Sequence, residues 1–202
     1  MNTFEQLYKE LKNRYGCPKG QWQVWCKRPK TEKEREKVII EAILTQRANW
    51  KNVELAFRNL KKAKMDSLKN IYEQGKKIAP LIRPSGFYKA KAGYLFHISE
   101  FVIKNYGTLD KMKKEKTQVL REKLLKLKGI GFETADSILL YALDKPVFVI
   151  DEYTRRLIKR YKLTKNLSYH FLQQLFEKNL KKDFRLYQDF HALIVIDGKN
   201  QK

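Results

Sequence analysis

An all-α fold is predicted by three observations. Apolar residues recur at helical spacing along most of the chain. A glycine turn, Gly129-Ile130-Gly131, interrupts one such stripe, and a helical pattern restarts at once. Only Val147-Phe148-Val149-Ile150 reads as a strand, and it is very short. In chain order, Lys27 to Lys37 is dense in charge, contains Pro29, and reads as a solvated loop running into the helix before Leu44. Val38, Ile39, Ala42 and Ile43 share that helix's apolar face, and Val53, Ala56, Phe57 and Leu60 form the next. Arg83-Pro84-Ser85-Gly86 breaks the pattern. Leu95, Ile98, Phe101 and Val102 resume it. Leu120, Leu124, Leu125 and Leu127 lead into the glycine turn, and Ala135, Ile138, Leu139 and Ala142 leave it. After a break at Asp144-Lys145-Pro146, Leu172, Leu175 and Phe176, then Phe190, Leu193 and Ile194, complete the series. These stripes read as plain core.

The chain has 202 residues, enough to bury a core in one domain or two small lobes. Lys and Arg number 44 against 22 Asp and Glu, a net charge of +22. That excess is far beyond what solubility needs and points to a polyanion, nucleic acid above all. Charge alone does not separate an enzyme from a structural binder. Cys17 and Cys26 are the only cysteines, so no disulfide framework is expected and a reducing compartment is. No apolar run approaches the roughly 20 residues of a membrane span. Met1-Asn2-Thr3-Phe4-Glu5 does not read as a secretory signal. A cytoplasmic protein without a membrane partner is expected.

The chemistry concentrates in Leu127-Lys128-Gly129-Ile130-Gly131-Phe132-Glu133-Thr134-Ala135 and in Asp151, at the end of the run Val147 to Ile150. A Gly-x-Gly turn points backbone N–H groups outward at a helix N-terminus, a setting that suits a phosphate. Together these residues resemble the helix-hairpin-helix and Gly/Pro-Asp loop of the endonuclease III superfamily of DNA glycosylases. The resemblance runs from about Val38 to Asp197. It implies a two-lobed all-α fold, with one helical lobe at residues 33–143 (the hairpin at about 120–143) and a second at 1–32 plus 144–202. It further implies a monomer that holds double-stranded DNA containing a damaged base in the cleft between the lobes.

The same resemblance gives individual residues their expected roles. Gly129 and Gly131, with Lys128 and Thr134 beside them, would hold a phosphate of the damaged strand. A monovalent cation can accompany this hairpin in the family. Asp151 would stabilise the oxocarbenium character that develops as the N-glycosidic bond breaks, and orient an attacking water. It also reads as a helix N-cap before Glu152-Tyr153-Thr154-Arg155, and the two roles are compatible. Glu133 departs from the bifunctional members, which carry a lysine here that forms a Schiff base with the sugar. A carboxylate cannot do so, and a monofunctional enzyme using water is expected; a first-turn acid favoured by the helix dipole is the plainer account.

In Leu44-Thr45-Gln46-Arg47-Ala48-Asn49-Trp50, Gln46 takes the place of the residue that fills the gap left by the flipped nucleotide. Trp50 either stacks on the extruded base or packs between helices. Arg83-Pro84-Ser85-Gly86-Phe87-Tyr88 resembles the wedge loop of the bacterial endonuclease III-type 3-methyladenine glycosylases, with Phe87 as wedge and Arg83 beside the DNA. Alternatively Phe87 and Tyr88 cap the helical core. Trp22 and Trp25 could line the base pocket, although their spacing to Pro29 differs from that subgroup's. Leu193 aligns with a modified lysine of the subgroup, which leaves the lesion open. An alkylated purine such as 3-methyladenine is expected. A mismatch or oxidised-base glycosylase with weak AP lyase activity, and a non-catalytic DNA-binding module, are the alternatives.

No cofactor is expected to be required. Phe190 to Lys199 resembles the helix preceding an iron–sulfur loop, but no cysteine follows Cys26, so no such cluster is expected. His97, His170 and His191 lack metal-ligand spacing, and no metal site is expected.

Overall fold

The computed structural model describes residues 2–201. Twelve α-helices follow one another among them: α1 Thr3–Tyr15, α2 Trp22–Trp25, α3 Glu32–Leu44, α4 Trp50–Lys62, α5 Leu68–Gln74, α6 Tyr88–Asn105, α7 Leu109–Lys114, α8 Thr117–Leu125, α9 Phe132–Ser137, α10 Glu152–Arg160, α11 Tyr169–Asn179 and α12 Phe184–Asn200. Short 3-10 turns occupy Gly75–Ile78 and Arg83–Ser85, and α9 runs into a π-helical turn, Ile138–Ala142. The chain divides into two compact units, Pro29–Ile138 and Met1–Arg28 with Leu139–Lys202.

Among the described residues there is no strand, and Val147 to Ile150 corrects the sequence-based expectation. The segment is extended and buried, yet α11 side chains satisfy much of its backbone. Glu177 accepts from the Phe148 N–H at 2.9 Å, Gln173 donates to the Phe148 carbonyl at 2.8 Å, and Tyr169 lies 3.5 Å from the Ile150 nitrogen. Buried backbone polar groups need partners, and here side chains supply those that a neighbouring strand would.

In the Pro29–Ile138 unit, α3 is the central element. Thr31 and Glu34 form a capping box at its start, each side chain accepting from the other's backbone N–H. The charged stretch Lys27 to Lys37 is therefore loop only as far as Thr31. Its second half is helix, and Lys30 and Arg35 are buried rather than solvated. From Val38 to Leu44 every residue is buried, as befits a helix surrounded by others. Helices α4, α6, α7 and α9 pack around it. Arg121 of α8 and Asp136 of α9 form a two-pronged ion pair at 2.6 and 2.8 Å, with Asp136 fully buried, which locks the two helices of the glycine turn together.

In the other unit, α12 packs against α1 and α10. Asp197 ties all three together: Tyr15 donates to it at 2.8 Å, and Arg14 and Arg160 are paired with it. A Cβ at Gly198 would lie 2.5 Å from the Tyr153 ring, so only glycine allows α10 this close. Phe148, Phe176 and Phe190 fill the centre, the first two stacked at 4.2 Å.

Candidate active site

In the unit formed by the two ends of the chain, Asp151 is the N-cap of α10. One carboxylate oxygen, Oδ1, accepts from the Thr154 N–H at 2.7 Å and the Thr154 hydroxyl at 2.9 Å. The other, Oδ2, takes no part in the cap and faces His191 Nε2 at 3.5 Å. The residue is largely buried, with 12% of its side chain exposed. Burial alone would push its pKa up. The His191 imidazole and then the Thr154 donors outweigh that and hold the carboxyl below the usual carboxylate range.

His191 is itself held from behind. Its Nδ1 lies 2.7 Å from the Tyr141 hydroxyl, which is 3.2 Å from the Gln188 carbonyl. The phenol has one proton to give. Donated to Nδ1, it leaves the imidazole hydrogen on Nε2. Donated to Gln188, it requires a hydrogen on Nδ1. Trp22 and Trp25 pack on this group, at 5.6 and 5.1 Å from the Tyr141 ring, and both are buried in the aromatic cluster.

In the Pro29–Ile138 unit, α8 and α9 form the two arms of the hairpin. Gly129 has φ +85°, and a Cβ there would sit 2.2 Å from the Tyr94 ring. Gly131 differs: its φ is −90° and a Cβ would meet nothing within 4 Å. Gly129→Ala is accordingly expected to destabilise the protein by about 1–3 kcal/mol through left-handed strain and overpacking, whereas Gly131→Ala changes stability little. Denaturant unfolding of the two variants checks this, and equal effects would contradict it.

Gln46 and Thr134, far apart in sequence, meet at this turn. The Gln46 amide donates to the Gly129 carbonyl at 2.9 Å and to the Thr134 hydroxyl at 3.1 Å. Lys128 and Glu133 are exposed on either side of it, Glu133 in the first turn of α9. The hairpin carbonyls are the hard oxygen donors that suit a monovalent cation. Those of Leu127 and Gly129 already accept from the Ile130 N–H and Gln46, and each keeps a second lone pair.

Phe87 is the most exposed large apolar side chain of the unit, 65% accessible, and it sits in the left-handed region at φ 48° after Gly86 at φ 68°. Arg83 is exposed at the start of the preceding 3-10 turn. Trp50 opens α4 and is partly exposed. The structure thus packs Trp22 and Trp25 on the Tyr141–His191 pair behind Asp151, and brings Gln46 together with Gly129 and Thr134. His191 and Tyr141 carried no local signal as site residues: each lies in an apolar run that reads as core. Among the described residues, no group of His, Cys, Asp and Glu side chains could hold a metal ion, and no helix is long and apolar enough to cross a membrane.

Residues 40–182 match the family described as HhH-GPD superfamily base excision DNA repair protein. The chain belongs to this superfamily. It is a DNA repair glycosylase of the HhH-GPD family. Methanocaldococcus jannaschii MJ1434, which carries the name of a DNA repair glycosylase, is 42% identical over 96% of this chain and 87% of its own. Endonuclease III of Thermotoga maritima is 27% identical over 77% of this chain and 70% of its own. Among solved structures, the H. pylori 3-methyladenine DNA glycosylase MagIII bound to 1,N6-ethenoadenine superposes with a TM-score of 0.82 and 31% identity, covering 100% of this chain and 99% of that one. An endonuclease III–DNA complex, at TM-score 0.76 and 18% identity over 99% and 87% of the two chains, shares the fold.

Proposed function

We propose that this glycosylase is monofunctional and releases an alkylated purine, such as 3-methyladenine, from double-stranded DNA, with water as the nucleophile. The observation that carries the mechanism is Glu133. It stands two residues after the second glycine of the hairpin, where the bifunctional members place their Schiff-base lysine, and an exposed carboxylate cannot form an imine. Asp151 then carries the chemistry. The capped geometry fixes its carboxylate, Oδ2 is left outside the cap, and the group stays ionised at neutral pH. A fixed negative charge stabilises a sugar that is losing its base, and the same oxygen can orient water toward the anomeric carbon. Gln46 fills the vacated stack, Phe87 parts the neighbouring step, and Trp50 offers an aromatic face to an electron-poor base.

Similarity along its whole length to the H. pylori 3-methyladenine glycosylase favours alkylated purines. No cofactor enters the scheme; two cysteines are too few for a four-thiolate cluster.

A panel of duplexes carrying alkylated purines, 1,N6-ethenoadenine, 8-oxoguanine or a mismatch tests the reading, with base release and strand nicking scored separately. Release from methylated DNA without nicking is expected. Borohydride should trap no covalent complex with any substrate duplex. Efficient trapping, or release confined to 8-oxoguanine or mismatches, would overturn the proposal.

A further inference from the structure

We propose that Lys91 is a positioning residue that holds the Phe87 loop and the Gln46 loop in the arrangement in which both enter the DNA. This rests on the reading of Gln46 and Phe87 as inserting residues. Lys91 lies in the first turn of α6 and is 1% exposed. Its ammonium donates to the Leu44 carbonyl at 2.8 Å and to the Ser85 carbonyl at 2.6 Å. Gln46 stands two residues beyond Leu44, and Phe87 two residues beyond Ser85. One buried charge thus fixes both loops just ahead of the residues that would reach into the duplex.

The two acceptors explain why a charge can be held there. Leu44 ends α3, and the carbonyls of a helix's last turn lack intrahelical donors. A cation at that end also meets the negative pole of the helix dipole. Burial nevertheless lowers the Lys91 pKa to about 8, so the site is a costly place for an amine. A methionine of similar length would fill the same space but would leave the Leu44 and Ser85 carbonyls without this donor. Packing alone does not call for lysine.

The backbone of Lys91 joins in. Its N–H donates to the Phe87 carbonyl at 3.0 Å, so the residue grips the loop at Ser85 and at Phe87. Phe87 has a positive φ of 48°, a conformation that a phenylalanine keeps only when its surroundings impose it. From Leu44 the connection continues through Gln46 to Gly129 and Thr134 of the hairpin. Lys91 therefore joins the wedge loop to the gap-filling loop, and Gln46 joins the latter to the hairpin turn.

The probe is a duplex containing a tetrahydrofuran abasic analogue next to 2-aminopurine, whose fluorescence rises when its neighbours unstack. It requires no knowledge of the preferred lesion. Saturating wild-type protein should raise the signal, and Phe87→Ala should lose most of the rise. Lys91→Met should still bind, since the hairpin and surface charge remain, but should also lose most of the rise. Its rate of base release from methylated DNA should fall on the order of 10²-fold, as misplacement of about an ångström can cost. A folded Lys91→Met that gives the full fluorescence rise would overturn the proposal. If that variant fails to fold, Lys91→Gln serves, being neutral and one bond too short to span both carbonyls; an undiminished rise with it is equally fatal. Absence of any rise with the wild type would remove Gln46 and Phe87 as inserting residues, and Lys91 with them. Base release by the same preparation then shows whether the glycosylase reading stands by itself.

Discussion

Asp151→Asn is expected to slow single-turnover base release by at least about 10²–10³-fold, the usual loss when a fixed electrostatic stabiliser is removed. Binding of the lesion duplex should be unchanged or tighter, because a negative charge beside a polyanion disappears. The variant should also fold. Asparagine retains an oxygen for the Thr154 N–H, so the α10 cap survives while the charge is lost. A pH profile sharpens the test. The Asp151 carboxyl sits below its ordinary value of 3.8, because His191 and Thr154 outweigh burial. A depressed carboxylate stabilises the fold fully above its unfolded pKa and loses that stabilisation as pH falls through the folded value. Wild-type release should therefore keep its Asp151 charge throughout the range above pH 3.8. His191→Gln removes the imidazole and should move the acid limb of base release to higher pH. Should folded Asp151→Asn release bases at a near-wild-type rate, Asp151 is only a helix cap.

The helical class was legible because each apolar stripe does one job. Val38, Ile39, Ala42 and Ile43 are buried together on α3, and Leu95, Ile98 and Val102 on α6. What periodicity could not convey is the partner across the chain. Val147 to Ile150 has the composition of a strand, but side chains from α11, more than twenty residues on, satisfy its backbone at Phe148. Charge density misread Lys27 to Lys37 for a related reason. The capping signal Thr31-x-x-Glu34 marks the helix start within it, and Arg35 is buried regardless of its charge.

At the site, local sequence pointed to residues but not to their contacts. Asp151 reads as both cap and catalyst, and its cap bonds are now visible. The bond from Gln46 to Thr134 links positions 88 residues apart, a pairing that no motif spacing records. His191 is the one polar residue of the run 190–196, and only folding brings it within 3.5 Å of Asp151. Lys91 was the least legible. Lys89-Ala90-Lys91 offers two lysines with nothing local to say that the second is buried while the first is exposed.

Affinity for undamaged duplex should fall by roughly 10³-fold or more between 50 and 200 mM salt, if at least six phosphates are neutralised. The argument begins with the charge of +22. Several acidic side chains are committed inside the protein: Asp136 to Arg121, Asp197 to Arg14 and Arg160, and Asp189 to Arg28. They leave much of the basic excess on the surface, including exposed Lys126 and Lys128 before the hairpin turn and Arg83 before Phe87. Each phosphate met by a lysine or arginine releases condensed counterions, and log affinity falls with log salt at about 0.9 per phosphate. A fourfold rise in salt then gives the stated factor for six contacts. Backbone N–H groups at Gly129 and Gly131 can hold a phosphate without adding a cation to that count. Removing one phosphate-contacting lysine should lower the slope by about 1, and Lys128→Ala is the variant of choice because its neighbours place it at the turn. Glu133→Gln, which removes a negative charge on the same exposed turn, should strengthen binding instead. Fluorescence anisotropy at a series of salt concentrations measures all three proteins. An affinity nearly independent of salt would mean that the basic surface does not meet DNA, and that the hairpin is a structural turn.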